Sequence, residues 1–139
     1  MTVESDNIRV LDQAYKDWHD SKGLGVNHLA EVFDDGVQVM SLAGGAEGVE
    51  FTRQRAGKAD FLSYLVGLTA DWEMIFYRID EYIAQNDRVV AVGSTSWRNK
   101  ITGKIVVTPK IDIWRMKDGK AVQFSEFYDT AKLIAAAQP

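Results

Sequence analysis

The chain has 139 residues, 46% of them hydrophobic and 11% aromatic, with a formal net charge of -4. That is long enough to bury one substantial core, while the acidic balance provides no electrostatic footprint for nucleic acid or an anionic membrane. With no cysteine, a disulfide framework, a thiol nucleophile and thiolate metal sites are all excluded. Met1-Thr2-Val3-Glu4-Ser5-Asp6 lacks a basic start followed by an apolar run, and no stretch approaches a membrane span, so a soluble cytoplasmic protein is expected.

The first third predicts helices. Ile8, Leu11, Ala14, Tyr15 and Trp18 recur at helical spacing behind the capping candidates Ser5 and Asp6, and Gly23 and Gly25 stop the helix. A short second helix follows Asn27 with Leu29, Val32 and Phe33 as its stripe; Asp34-Asp35-Gly36 then turns the chain into a strand from Val37 to Met40. Residues Ser41 to Gly57, rich in Gly and Ala and containing Arg53 and Arg55, predict a long surface connection. Phe61, Leu62, Leu65 and Leu68 define a third helix from Lys58 to about Thr69.

Beyond it the pattern changes to antiparallel sheet. Strands are predicted over Trp72–Ala84, Arg88–Arg98, Lys104–Met116 and Lys120–Asp129, separated by turns at Gln85-Asn86-Asp87, Ile101-Thr102-Gly103 and Lys117-Asp118-Gly119. An Ala-rich tail, Thr130 to Ala137, closes the chain. Helices first and strands after, without repeat or linker, predict an α+β architecture in one domain covering residues 1–139.

Two strands carry unexpected charge. Alternation places Glu126 on one face with Val122, Phe124 and Tyr128, and a carboxylate on an apolar face must be paired, hydrogen-bonded or neutralised. It is either a pocket acid–base group or a structural carboxylate buried against Arg78 or Lys110. In the preceding strand Ile105, Val107, Ile111 and Ile113 share one face, and Thr108, Lys110, Asp112, Trp114 and Met116 share the other. Either the isoleucines are core and Lys110 and Asp112 a solvated ion pair, or the Asp112 face lines a cavity and the isoleucine face meets a second subunit. Pro109 suggests a bulge near Lys110. His19 and His28 have no partner at metal-ligand spacing, Gly44-Gly45-Ala46-Glu47-Gly48 lacks the context of a phosphate loop, and no serine sits in a nucleophile elbow.

The element order, with Phe33-Asp34-Asp35, Thr102-Gly103-Lys104, Trp114-Arg115 before Asp118-Gly119-Lys120, and the ending Tyr128-Asp129-Thr130, resembles the nuclear transport factor 2-like superfamily. Within it the chain is most similar to SnoaL-like and ketosteroid-isomerase-related proteins. The resemblance implies a cone-shaped α+β barrel of the cystatin-like class, with three N-terminal helices on a strongly curved antiparallel sheet. In ketosteroid isomerases an oxyanion hole is built from a tyrosine on the first helix and a protonated aspartic acid near the last hairpin; Tyr15 and Asp112 occupy similar positions. Where that family carries its general-base aspartate this chain has Met40, and a thioether cannot take a proton. Glu126 matches the acid–base carboxylate of the SnoaL-like cyclases.

The expected function is therefore binding of a small, largely apolar ligand in the cone, with cofactor-independent acid–base catalysis of isomerase, cyclase or hydrolase type. Glu126, Asp112 and Tyr15 would be catalytic, and Trp18, Met40, Lys110, Trp114, Phe124 and Tyr128 would contact ligand. The alternatives are a non-catalytic ligand-binding or dimerising accessory module, and a structural protein whose cavity is filled by its own side chains. No metal or cofactor is implied, and a homodimer through the outer sheet face is expected.

Overall fold

A computed structural model describes residues 2–139. Helix α1 (Val3–Asp20) begins earlier than the sequence suggested: Thr2 is its N-cap, and Ser5 completes a reciprocal capping box. Its stripe of Leu11, Ala14, Tyr15 and Trp18 is buried. Gly23, at φ +81°, turns the chain out of α1 toward α2 (Val26–Ala30). Phe33 opens strand β1 (Phe33–Ser41) instead of closing α2, and the Asp34 carboxylate accepts the Gly36 N–H inside a bulge of that strand.

The long connection that follows is ordered. It holds a 3-10 turn over Glu50–Thr52 and a two-residue strand β2 (Arg55–Ala56) paired with β1. Buried Arg55 fastens it, donating to the Phe51 carbonyl at 2.9 Å and to Asp60 at 3.2 Å. Helix α3 (Lys58–Asp71) leads into β3 (Trp72–Gln85), β4 (Arg88–Asn99), β5 (Ile105–Lys117) and β6 (Lys120–Tyr128). The Ala-rich tail is not a tail but helix α4 (Thr130–Ala137), capped by the Asp129 side chain and docked through Leu133 and Ala136.

The sheet order is β2-β1-β6-β5-β4-β3, antiparallel except where β6 lies parallel to β1. Two register shifts in β3, between Met74 and Phe76 and between Ile79 and Glu81, add local twist that wraps the sheet around the helices as a cone. They also switch which residues face inward: Trp72 and Met74, then Tyr77 and Ile79, then Tyr82 and Ala84 pack on the core. A third shift beside Met116 displaces Val122, so Ala121 is the buried residue at that end of β6.

On β5 the alternation is strict. Val106, Thr108, Lys110, Asp112, Trp114 and Met116 are buried, while Ile105, Val107 and Ile111 are exposed on the outer face. The isoleucines are therefore not core. The bulge expected at Lys110 is absent, since β4 pairs with β5 without a shift through Ser94↔Pro109. Proline is tolerated there because Lys110↔Tyr128 is the last pair with β6, beyond which the Asp129 N–H turns to the Thr108 hydroxyl.

Gly93 stands opposite the second shift of β3, where an added Cβ would lie 1.8 Å from the Arg78 carbonyl oxygen and 2.9 Å from the Ile79 Cα. Backbone, not a movable side chain, fills that space. Gly93→Ala is expected to destabilise the fold by about 1–3 kcal/mol or more, measured by urea unfolding. An unchanged midpoint would mean that β3 and β4 do not approach so closely.

Candidate active site

Three strands and two helices bring the polar residues together. β5 carries Lys110, Asp112 and Trp114 inward in succession, and β6 sets Glu126 directly opposite Asp112 and Tyr128 opposite Lys110. α1 contributes Tyr15 and Trp18, α3 contributes Tyr64, and β3 contributes Tyr77. They line a cavity of about 90 Å³ whose remaining wall is mostly aromatic and aliphatic. One ordered water needs roughly 10–15 Å³ on such a measure, so the space exceeds a single solvent molecule several-fold.

Lys110 is the hub, 5% exposed beside Asp112 at 0% and Glu126 at 5%. Its ammonium donates to Asp112 Oδ1 at 2.5 Å and to the Tyr77 hydroxyl at 2.7 Å, and forms an ion pair with Glu126 Oε2 at 2.9 Å. Asp112 Oδ2 also accepts from the hydroxyls of Tyr15 at 2.5 Å and Tyr77 at 2.7 Å. Tyr64 donates to Glu126 Oε1, and the Trp114 indole donates to the Tyr15 oxygen at 2.7 Å. Each buried charge thus has an opposite charge and at least one hydrogen-bond partner, as burial requires, because removing one partner of a buried pair costs about 3–5 kcal/mol.

Eight of the nine residues expected from sequence line the cavity: Tyr15, Trp18, Lys110, Asp112, Trp114, Phe124, Glu126 and Tyr128. Met40 does not. It lies on the opposite face of β1, half-buried, while Val37, Val39 and Ser41 are the buried positions. The isomerase base is missing because none of those three side chains is a carboxylate. Nor does Asp112 stand as the donor of an oxyanion hole: three donors converge on it, so its geometry is that of an acceptor. Arg78, one proposed partner of Glu126, is exposed and pairs with Asp80; Lys110 is the partner.

The sequence reading missed Tyr64, Tyr77 and Leu133. Tyr64 was legible, since it shares the helical stripe of Phe61, Leu65 and Leu68. Tyr77 was hidden by the shift at Ile75, and Leu133 by the reading of α4 as a tail. His19 packs against β3, where its Nδ1 accepts the Tyr77 N–H at 3.1 Å.

The sequence model of the SnoaL-like domain matches residues 20–124. The chain belongs to the SnoaL-like family and has the nuclear transport factor 2-like fold. Among solved structures, a nuclear transport factor 2-like protein of unknown function from Burkholderia pseudomallei is 18% identical, with 100% of each chain covered and a TM-score of 0.81. TerC, co-crystallised with polyporic acid, is 19% identical over 96% of this chain and 99% of its own, with a TM-score of 0.80. A protein with a ketosteroid isomerase-like fold from Catenulispora acidiphila, in complex with trimethylamine, is 15% identical over 86% and 88%, with a TM-score of 0.71. At these identities the likeness establishes the fold alone. No curated protein matches the chain.

Within this SnoaL-like cone the phenols are held protonated. Burial, reinforced by Asp112 beside Tyr15 and Tyr77 and by Glu126 beside Tyr64, keeps all three well above the ordinary tyrosine range. Burial and Asp12 raise Tyr82, and burial and Glu126 push Tyr128 up to about 12. For Lys110 burial pulls the ammonium down, but Asp112 and Glu126 outweigh it and hold the group above the usual lysine range. Groups raised in this way stabilise the fold fully below their unfolded values and lose that contribution as pH rises through the folded ones. Stability should therefore fall above about pH 10. In an ultraviolet titration none of the five tyrosines should ionise at its ordinary value in the folded protein; phenolate absorbance and loss of circular dichroism should coincide in one alkaline step. A tyrosine ionising earlier in the native state would contradict the sealed network.

Proposed function

We propose that this SnoaL-like chain binds a small, largely apolar organic molecule in its cone and acts on it by acid–base chemistry, with Glu126 as the proton acceptor. The observation that carries the reading is the Lys110 ammonium shared between two carboxylates at the wall of an otherwise apolar cavity. Glu126 is held by the Tyr64 hydroxyl and the Lys110 ion pair, against three hydrogen-bond donors on Asp112, and is the freer of the two. A proton leaving the ligand for Glu126 would weaken the Glu126 hold on Lys110, and the ammonium would then balance the negative charge left nearby. Asp112, Tyr15 and Tyr77 fix the ammonium at that point. That neighbouring proteins of this fold were crystallised with polyporic acid and with trimethylamine supports reading the cone as a small-molecule site. The second reading, a non-catalytic ligand carrier or dimerising accessory module, is favoured by the lack of a carboxylate among the inward positions of β1.

Glu126→Gln keeps the shape and the Tyr64 contact, and is expected to lower turnover by about 10²–10⁴-fold while ligand uptake persists. Asp112→Leu, which strands Lys110, Tyr15 and Tyr77, should cost about 3–5 kcal/mol in stability, and Asp112→Asn less. Melting curves, ligand titrations and turnover on the three variants separate the readings. Full turnover in Glu126→Gln would sink the catalytic one, and ligand uptake by a parent protein without turnover would favour the carrier.

The outer face belongs to the same proposal. Ile105, Val107 and Ile111 form an exposed apolar patch opposite the cavity, of a kind that soluble monomers rarely leave bare. We propose a symmetric homodimer through it, in the cytoplasm. Sedimentation should report about twice 15.6 kDa, and Val107→Glu should give the monomer. A monomeric parent protein would refute the dimer.

A further inference from the structure

Most hydrogen-bond donors around the charged trio are directed inward. The Lys110 ammonium donates to Tyr77 and Asp112 and lies 2.9 Å from Glu126 as an ion pair, while the hydroxyls of Ser41 and Tyr128 share one hydrogen bond at 2.6 Å and the Tyr128 oxygen accepts the Ala43 N–H. The hydroxyls of Tyr15 and Tyr77 go to Asp112, and that of Tyr64 goes to Glu126. The Trp114 indole goes to Tyr15, the Trp97 indole to Thr95, the Thr95 hydroxyl to the Phe76 carbonyl and the Thr108 hydroxyl to the Pro109 carbonyl.

Acceptors, by contrast, are left over. A carboxylate has about four lone-pair positions. Asp112 receives three hydrogen-bond donors, whereas Glu126 receives the Tyr64 hydroxyl and the Lys110 ion pair, so the greater spare acceptor capacity lies on Glu126 in the cavity wall. Charge points the same way, since one ammonium stands against two carboxylates and leaves a formal excess of one negative charge on the wall. The rings nearby present electron-rich faces: Trp114 and Phe124 have centroids 4.4 Å apart, and Phe61 stacks on Phe124 at 5.3 Å.

We propose that the cone selects a ligand that brings its own protons: a small amine bound as its ammonium ion, an N–H directed at Glu126 and its hydrocarbon part against the aromatic wall. The proposal rests on the cavity being the ligand site and adds the ligand's chemical class. A carboxylate or other anion of equal size finds no cation free of the two carboxylates and meets the excess negative charge of two buried carboxylates, where like-charge repulsion is weakly screened. A neutral alcohol can donate one hydrogen bond to Glu126 but leaves the excess charge uncompensated. An ammonium ion does both.

The test uses three four-carbon probes of one shape, isobutylamine, isobutanol and sodium isobutyrate, titrated calorimetrically into the intact protein near neutral pH at equal ionic strength. Isobutylammonium is expected to bind at least about tenfold more tightly than isobutanol, and isobutyrate not to bind. Glu126→Gln should erase the preference for the amine. Tyr64→Phe alters no charge and frees one acceptor position on Glu126, so it should retain or strengthen amine binding, and it keeps the test decisive if Glu126→Gln does not fold. Isobutanol or isobutyrate binding as tightly as the amine, or amine binding lost in Tyr64→Phe, would overturn the inference and leave the cavity standing as a ligand site. If none of the three probes binds, both the inference and the ligand-site reading fall.

Discussion

The Lys110 ammonium stands between two buried carboxylates, hydrogen-bonded to Asp112 and to the Tyr77 hydroxyl and ion-paired with Glu126, and the geometry of the cone is arranged around that contact. Removing an ammonium and two carboxylates from water costs several kcal/mol per ion, and the loss is offset only when every partner is present at hydrogen-bond distance. The partners come from three strands: Lys110 and Asp112 from β5, Glu126 from β6 and Tyr77 from β3. Tyr15 on α1 and Tyr64 on α3 occupy the outer lone pairs of the carboxylates, so the two long helices are tied to the sheet by the same cluster. A one-residue slip between β5 and β6 would turn either Asp112 or Glu126 to the outside and leave a buried charge without its counterpart. The trio therefore fixes register as well as chemistry.

Much of this was legible in the sequence, and the reasons differ by residue. The strict alternation of β5 gave Lys110, Asp112 and Trp114 a common face but left open whether that face or the isoleucine face is the inner one; burying it spares Trp114 and Met116 from exposure. Glu126 stood out because a carboxylate recurred at an otherwise apolar spacing. Tyr77 could not be found in this way: the shifts in β3 change the inward parity twice in a dozen residues, and nothing in the side chains around Ile75 or Asp80 announces a bulge. Met40 was misplaced for a related reason. The bulge around Asp34-Asp35-Gly36 obscures which residues of β1 face inward, and a motif matched by position alone selects the wrong face. Leu133 was lost because a run rich in alanine and short of polar residues reads as a tail until a helix cap, Asp129, is recognised before it.

The walls of the cavity explain how a charged cluster coexists with a stable core. Phe33, Phe61, Phe124 and Trp114 form a continuous set of stacked and tilted rings behind the trio, with centroid separations of 4.2–6.3 Å. Lys110 itself lies 5.1 Å from the centroid of the Tyr77 ring. The aromatic layer contributes apolar burial on one side and a polarisable surface for cations on the other, so the same residues serve both packing and the electrostatics of the site.

The position of β6 also sets an order of events in time. It is the last strand in the chain, yet it lies in the middle of the sheet between β5 and β1, which it joins in parallel across more than eighty residues, as in the bond between Ser41 and Tyr128. Without β6 docked, β1 and β5 each present an unpaired edge, and neither the cone nor the charged trio is complete. Closure of so distant a pairing is slow relative to hairpin formation. The docking of that one central strand brings Glu126 to Lys110 and Asp112, so the three charges leave water together.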